Sequence, residues 1–300
     1  MLLFSALVAG SFSLGSMMAN DIDPMALTAA RFAIAAVVIG TVASVTTGFS
    51  RQSFAAPWRY LVLGGLFAAY FVLMFWGLKT APPISTVAVF TLTPIMTAGF
   101  GWLLLRQVTT PRMSLALAIG AVGAVWVIFR ADWSVLTAFE LGGGELIYFI
   151  GCISHALYVP MVRKLNRGEP AIVFTFGMLF AGFVILAIVG WSEIIATDWF
   201  ALPWLVWVTL FYLAIFASAA SFVLLQFSIL RLPSAKVMAY SYLTPTWVIV
   251  WEIMLGHGVP AGLILVGIAM TVVALVMLLK NEEVSLTPAR PLKTAQTHPD

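Results

Sequence analysis

A histidine and a tyrosine lie together inside a long apolar stretch near the middle of the chain. His155 and Tyr158 are three residues apart, so on a helix they share one face. An ionisable group in such a stretch is costly and indicates a binding site for a small molecule. The alternative is a neutral histidine that hydrogen-bonds to a neighbouring helix. We expect His155 and Tyr158 to contact a substrate, with His155 as a candidate protonation site.

Aromatic residues inside other apolar stretches form a second set of candidates for substrate binding. The set consists of Tyr70, Trp76, Phe90, Tyr240 and Tyr242. The tyrosine hydroxyls need polar partners, which the ammonium or carboxylate group of an amino acid could supply. An aromatic wall would also suit apolar side chains and cations.

Patterns that carry catalysis are missing from the sequence. There is no His-Glu-x-x-His, no Gly-x-Ser-x-Gly and no phosphate-binding loop. The only cysteine, Cys152, lacks the companions of a redox or metal site. We therefore expect no catalytic residue, no metal and no cofactor, and we do not expect an enzyme.

The elements that position these residues follow from the composition. Of 300 residues, 62% are hydrophobic and 9% are charged, whereas soluble domains carry roughly a quarter charged residues. Lipid is the alternative solvent, and a helix of about 20 apolar residues crosses it. The composition thus excludes a soluble fold and predicts an all-α polytopic membrane protein. The net charge of +3 is scattered, so no nucleic-acid partner is expected.

Apolar runs separated by charged residues, Pro or Gly predict ten transmembrane helices. They lie near 1–18, 25–47, 57–78, 84–105, 112–129, 143–162, 170–190, 203–229, 234–255 and 259–280. With the amino terminus in the cytoplasm, the outer connections hold only Lys79 and Arg130 as basic residues. This bias predicts two cytoplasmic termini in a cell inner membrane. Residues 281–300 are polar and predict a disordered cytoplasmic tail.

An internal repeat divides the chain. Leu92-Thr93-Pro94 recurs as Leu243-Thr244-Pro245, displaced by 151 residues. The displacement spans five helices, an odd number, so a second repeat at 142–280 is inverted relative to a first at 1–141. Inverted repeats that share a site near the bilayer midplane are a transporter architecture.

Pro94 and Pro245 fall near the middle of the fourth and ninth predicted helices. Proline kinks a helix and frees one carbonyl, here that of Phe90 or Ser241. The alternatives are a packing kink and a hinge that faces substrate, and the recurrence favours hinges.

We predict structural roles for two charged residues in the apolar helices. Arg31 pairs with an acid or caps carbonyls, and Glu252 extends to the membrane interface.

These motifs together resemble the drug/metabolite transporter superfamily, in its EamA-type branch of ten-helix exporters. Residues 27–32 (LTAARF) resemble the alanine-arginine-phenylalanine signature of that branch, and the prolines resemble its repeated pattern. Family members often end the fourth and ninth helices with Leu-Gly-Glu, whereas residues 105–107 are LRQ and 255–257 are LGH here. The aromatic helices look most similar to the aromatic amino-acid exporter subgroup.

The resemblance implies export, and the residues favour cargo of a particular charge. Few charges lie in the apolar helices, which favours zwitterions such as amino acids over phosphorylated cargo. Export of drugs or lipophilic cations by the same fold is the alternative, and a membrane-embedded enzyme or sensor is a third. The sequence leaves coupling and oligomeric state open, with a monomer in the lipid bilayer as the working expectation.

Overall fold

The computed structural model describes residues 1–129, 132, 142–259 and 262–279, and no β-strand occurs among them. Its α-helices are α1 Leu2–Met18, α2 Pro24–Thr46, α3 Trp58–Leu78, α4 Pro83–Phe90, α5 Thr93–Leu105, α6 Pro111–Ile128, α7 Gly143–Leu165, α8 Ala171–Val189, α9 Trp191–Ala196, α10 Trp204–Ala214, α11 Ser221–Ile229, α12 Ser234–Ala239, α13 Thr244–Met254 and α14 Gly262–Leu279. The all-α fold class is confirmed. The predicted tail at 281–300 lies outside the described residues.

Eight helical segments within the described ranges are long and apolar enough to cross a membrane. Two of the eight are composite: α4 and α5 together, and α10 and α11 joined by a π-helix at Ile215–Ala220. These eight correspond to predicted spans two to eight and ten. Helix α1 has 17 residues, and the ninth span is divided between α12 and α13 by a 3₁₀ turn at Tyr240–Leu243. For these two, membrane crossing stays a prediction.

Helix starts follow local capping chemistry. The Asp23 side chain accepts a hydrogen bond from the Met25 N–H at 2.7 Å, and Pro24 occupies the first helical position of α2. Thr110 caps α6 in the same way, and Pro111 follows it. Capping satisfies amide groups that a helix leaves free, and proline at the first position loses no hydrogen bond.

Glycine pairs set the closest approaches between helices. A Cβ atom added at Gly64 of α3 would lie 2.5 Å from the backbone nitrogen of Gly182 in α8. One added at Gly123 of α6 would lie 2.6 Å from the carbonyl oxygen of Gly267 in α14. Small residues allow such backbone contact in membrane bundles. Both pairs join a helix of α1–α6 to a helix of α7–α14, so the two parts of the chain are interleaved.

Each of the two prolines lies at an interruption of a helical span, so the structure has a break where we predicted a kink within one helix. Helix α4 ends at Phe90 and α5 begins at Thr93, so Pro94 lies in the first turn of α5. Pro245 has the same position in α13, after the 3₁₀ turn. A first-turn residue needs no intrahelical N–H donor, which is why proline fits there.

The carbonyls expected to be free at these breaks have partners inside the protein. The carbonyl of Phe90 accepts a hydrogen bond from the Thr93 hydroxyl. The carbonyl of Ser241 accepts one from the Thr244 N–H. A local threonine thus gives each carbonyl one partner, and contact of these two carbonyls with a substrate stays a prediction.

Candidate functional site

Seven aromatic or imidazole rings from four helices pack together in the core, and we call them the aromatic–histidine cluster. Its members are Phe67, Tyr70, Phe71, Phe90, His155, Tyr158 and Phe222, all of them buried. Helix α3 supplies three members at positions i, i+3 and i+4, a spacing that puts them on one face. The other members come from α4, α7 and α11. The cluster thus lies where helices from both parts of the chain meet.

His155 is at the centre of this cluster. Its ring centroid lies 4.5 Å from that of Tyr70 and 5.6 Å from that of Phe90. Phe67 stacks on Tyr158 at 4.4 Å and on His155 at 5.5 Å. Phe90 is the last residue of α4, so the break between α4 and α5 directly borders the cluster. The structure brings together four of the seven predicted binding residues.

Polar groups at the edge of the cluster are partly paired. The hydroxyls of Tyr70 and Tyr148 lie 3.0 Å apart, and the Gln226 amide nitrogen donates to the Tyr158 hydroxyl at 2.8 Å. Nδ1 of His155 and Oε1 of Gln226 are buried without a hydrogen-bond partner. Buried polar atoms normally have partners, so these two atoms are exceptions in the core of the protein.

Arg31 of α2 extends the cluster on the side of Phe71. Its guanidinium carbon lies 3.8 Å from the Phe71 ring centroid, a cation–π contact. Nε donates to the Ser218 hydroxyl and Nη2 donates to the Ala217 carbonyl at 2.9 Å. Both acceptors belong to the π-helix between α10 and α11. We predicted that Arg31 either pairs with an acid or caps carbonyls. It caps the Ala217 carbonyl, and no ion pair among the described residues includes it.

Three predicted binding residues lie elsewhere. Trp76 of α3 is 40% exposed on the outside of the bundle. Tyr240 and Tyr242 belong to a second hydrophobic cluster, with helices α6, α12 and α14. The Tyr242 ring packs against Gly120 and its buried hydroxyl has no hydrogen-bond partner. The structure does not bring these three side chains to His155.

Sequence reasoning missed four members of the site: Phe67, Phe71, Phe222 and Gln226. Their signal was helical spacing. Phe222 and Gln226 are four residues apart on α11, and Phe67 and Phe71 have the same spacing on α3. In an apolar helix this spacing is common, so it selects no particular face without knowledge of the neighbouring helices.

A buried ion pair lies at one end of the bundle. Nη2 of Arg59 is 2.6 Å from Oε1 of Glu169, and the side chains are 1% and 5% exposed. Nη1 of Arg59 also donates to the Leu165 carbonyl at 2.7 Å. Burial favours a raised pKa for Glu169, but hydrogen bonds from Arg59 and from the Arg167 N–H outweigh it and lower the pKa below its ordinary value of 4.5.

Glu252 is 6% exposed, so protein atoms cover most of its side chain. Its extension to the membrane interface stays a prediction. Its Oε2 lies 2.8 Å from Nδ1 of His257. The carboxylate folds back to pair with this histidine, so the two residues form a contact at the end of α13.

No group of three or more His, Cys, Asp or Glu side chains that could hold a metal occurs in the described part of the chain. Helices long enough to span a bilayer surround buried polar groups, and this combination defines a polytopic membrane protein with a site between its helices. The sequence model of the EamA-like transporter family matches residues 1–129 and 142–280. The chain belongs to this family of membrane transporters.

Two further comparisons agree with this assignment. The chain is 26% identical over 246 residues to the "Uncharacterized transporter YyaM" of Bacillus subtilis (strain 168), covering 81% of this chain and 80% of that protein. A solved structure described as "Crystal structure of protein" superposes with a TM-score of 0.70 at 20% identity, covering 92% of this chain and 94% of the other. The superposition supports the fold.

Proposed function

We propose that this transporter exports small zwitterionic metabolites, amino acids with aromatic side chains among them, by alternating access between its two halves. The aromatic–histidine cluster is the proposed binding site. Two unpartnered polar atoms in an aromatic setting, Nδ1 of His155 and Oε1 of Gln226, carry the proposal. An ammonium group could donate to either atom, and the rings provide contact area for an apolar side chain.

The charge inventory of the site favours cargo with little net charge. The cluster and its neighbours contain one guanidinium, that of Arg31, and their aromatic members are neutral. A phosphorylated metabolite carries several charges that each need a partner out of water. A zwitterion presents one charge of each sign. The site therefore suits a zwitterion better than a polyanion.

The alternating-access part of the proposal depends on two inverted halves. The family model matches the chain twice, and each match contains one broken helix whose second segment starts with Thr-Pro. Discontinuous helices at corresponding positions of two halves are a feature of carriers with a midplane site. Each break lets its segments tilt separately, which is the movement that opening to one side requires.

The orientation of the halves has a direct test. Cys152 is the only cysteine of the chain, so Cys152→Ser gives a cysteine-free background. New cysteines replace Asp21 in one variant and Arg167 in a second variant. These two residues lie in the first connection of the first and of the second half, and opposite sides of the membrane are predicted for them because the halves are inverted. An impermeant maleimide applied to intact cells should label only the Asp21 position. Labelling of both positions or of the Arg167 position alone would contradict the inversion.

A flux panel in proteoliposomes tests the cargo. Labelled phenylalanine, leucine and tetraphenylphosphonium are compared with and without a pH gradient, with empty liposomes as the control. We expect phenylalanine flux above that of the empty liposomes, and tetraphenylphosphonium flux equal to its passive diffusion in that control. Flux of the phosphonium alone would favour the lipophilic-cation alternative, since aromatic rings bind cations as well. No amino-acid flux at all would refute the proposal.

One substitution connects flux to the site. His155→Phe keeps a ring in the stack but removes Nδ1, and we expect lower phenylalanine flux at unchanged expression. Trp76→Phe is the matched control, because Trp76 is 40% exposed outside the cluster. Equal flux in wild type and His155→Phe would remove His155 from the binding site.

A further inference from the structure

Arg31 is a buried cation whose hydrogen-bonding capacity is only partly used. Its side chain is 0% exposed, and Nη1 has no hydrogen-bond partner. None of the ion pairs among the described residues includes it. A buried charge without an opposite charge is strongly unfavourable. The Phe71 ring at 3.8 Å compensates for part of this through cation–π attraction.

The pattern of used and unused donors shows which edge of the guanidinium is free. A guanidinium has five N–H donors in a planar fork. The N–H of Nε and one N–H of Nη2 share its lateral edge, and these donate to Ser218 and Ala217. The end-on edge, formed by Nη1 and the second N–H of Nη2, remains without a hydrogen-bond acceptor. Two parallel N–H groups at that edge match the two oxygens of a carboxylate.

The two acceptors belong to a rare element that fixes the arginine in place. Ser218 and Ala217 lie in the π-helix at Ile215–Ala220, and the Ala217 carbonyl also accepts a hydrogen bond from the Ser221 hydroxyl. A π-helix makes a local widening inside a helix and often occurs at functional sites. Here it holds the lateral edge of Arg31, so the end-on edge keeps one direction.

Arg31 is linked to the proposed binding site through shared rings. Phe71 and Phe222 both contact its guanidinium, at 3.8 Å and 5.8 Å. Phe67, which stacks on His155, lies 4.5 Å from Phe222 between ring centroids. A ligand of amino-acid size at these rings would therefore have Arg31 at one end and His155 at the other.

We propose that Arg31 is the carboxylate-binding residue of the transport site, with its end-on edge pairing the carboxylate of the cargo. This inference rests on the proposed function and narrows it: the cargo must carry a carboxylate, and purely cationic drugs do not fit. The His155 and Gln226 atoms then serve the other end of the cargo. Arg31 binds substrate directly and takes part in no chemical step.

Three probes that share one ring separate the role of the carboxylate from that of the ammonium. 3-Phenylpropionate has the carboxylate alone, phenethylamine has the ammonium alone, and L-phenylalanine has both. Binding is measured on the purified full-length protein as the concentration dependence of its thermal stabilisation. We expect 3-phenylpropionate and phenylalanine to stabilise the wild type, whereas phenethylamine has a weaker effect.

Arg31→Gln should weaken 3-phenylpropionate binding by about tenfold to a hundredfold, the range for a lost charge-assisted hydrogen-bond pair, and should leave phenethylamine binding unchanged. Arg31→Lys should recover part of the loss, because lysine keeps the charge without the fork. Arg51→Gln, which removes an exposed arginine, is the control. An equal loss for both probes would mean that Arg31 only supports the fold, and would overturn the proposal.

Ser218→Asp covers the case in which Arg31→Gln does not fold. It places a carboxylate of the protein beside Nε of Arg31 and neutralises the guanidinium charge, while the end-on edge stays free. We therefore expect higher stability without ligand and weaker binding of 3-phenylpropionate. Wild-type affinity for 3-phenylpropionate in Ser218→Asp, or no stabilisation of the wild type by any carboxylate probe, would overturn the proposal. Phenylalanine flux is measured separately, because it reports on the proposed function. If the protein transports phenylalanine but Arg31→Gln leaves the relative binding of 3-phenylpropionate and phenethylamine unchanged, this inference is refuted and the proposed function is not.

Discussion

The buried ion pair between Arg59 and Glu169 makes a quantitative prediction about stability. Glu169→Gln keeps the size of the side chain and removes its charge, so Arg59 remains buried as an unpaired cation. Removing one partner of a buried pair costs about 3–5 kcal/mol. Arg59 retains its hydrogen bonds to the carbonyls of Ala56 and Leu165, and a glutamine oxygen can still accept one bond. We therefore expect a loss near the lower end, about 3 kcal/mol.

The assay is thermal unfolding of the purified protein in detergent at pH 7. For a chain of 300 residues, an unfolding entropy of about 2.1 cal/mol/K per residue makes 3 kcal/mol correspond to a decrease of about 5 °C in the midpoint. Glu193→Gln is the matched control, because the half-buried Glu193 side chain accepts a hydrogen bond from the adjacent Ser192 hydroxyl and belongs to no ion pair among the described residues; its midpoint should not change. A midpoint for Glu169→Gln within 1 °C of wild type, an interval of about 0.6 kcal/mol, would refute the reasoning.

The same pair makes stability depend on pH in one direction. The folded-state pKa of Glu169 is lowered below 4.5, so its contribution is complete above the unfolded-state pKa and disappears as the pH falls through the folded-state pKa. Acidification below about pH 4.5 should therefore destabilise the wild type more than Glu169→Gln, which cannot titrate at this position. Parallel midpoint curves for the two proteins across that range would show that Glu169 contributes nothing through its charge.

Three other substitutions have defined outcomes. Gly64→Ala inserts a methyl group 2.5 Å from the Gly182 backbone nitrogen, whereas the methyl group of Gly65→Ala meets only a side chain at 3.5 Å. We expect Gly64→Ala to destabilise the fold by about 1–3 kcal/mol and to lower the unfolding midpoint by several degrees, and we expect Gly65→Ala to keep the wild-type midpoint. Equal midpoints for the two variants would contradict this. Pro94→Ala allows one continuous helix through the break and should slow phenylalanine flux at normal expression, so equal or faster flux would argue against a hinge. Tyr242→Phe removes a buried hydroxyl that has no hydrogen-bond partner. It should stabilise the fold by about 1 kcal/mol, which raises the midpoint by about 2 °C, and it should leave flux unchanged. A loss of flux would place Tyr242 in the transport path, as the sequence predicted.

The helices were readable from the sequence because lipid imposes a simple rule on it. Apolar runs bounded by proline and charge predicted starts close to those observed, such as Pro111 and Gly143. The breaks were harder to predict, because proline in the middle of an apolar run is compatible with a kink and with a new helix. Thr93 and Thr244 decide the outcome by satisfying the carbonyls at each break locally.

The site was only partly readable, and the reason is that burial in a membrane bundle does not follow amphipathic periodicity. Every face of these helices is apolar, whether it meets lipid or protein. His155 was visible because it is polar, whereas Phe67 has the same appearance as an exposed residue such as Phe180. Trp76 and Tyr70 are equally aromatic, and only the arrangement of α3 against α7 places one outside and the other in the core.

The glycine contacts between α3 and α8 and between α6 and α14 affect how the protein can diversify. Their spacing is fixed by main-chain atoms, so it does not depend on which rotamers the neighbouring rings adopt. A smaller residue at Phe67 should therefore leave open volume, since helices held apart by backbone contact cannot close over it. New substrates of larger size could then be accommodated by shortening a single ring, with the framework of the bundle unchanged.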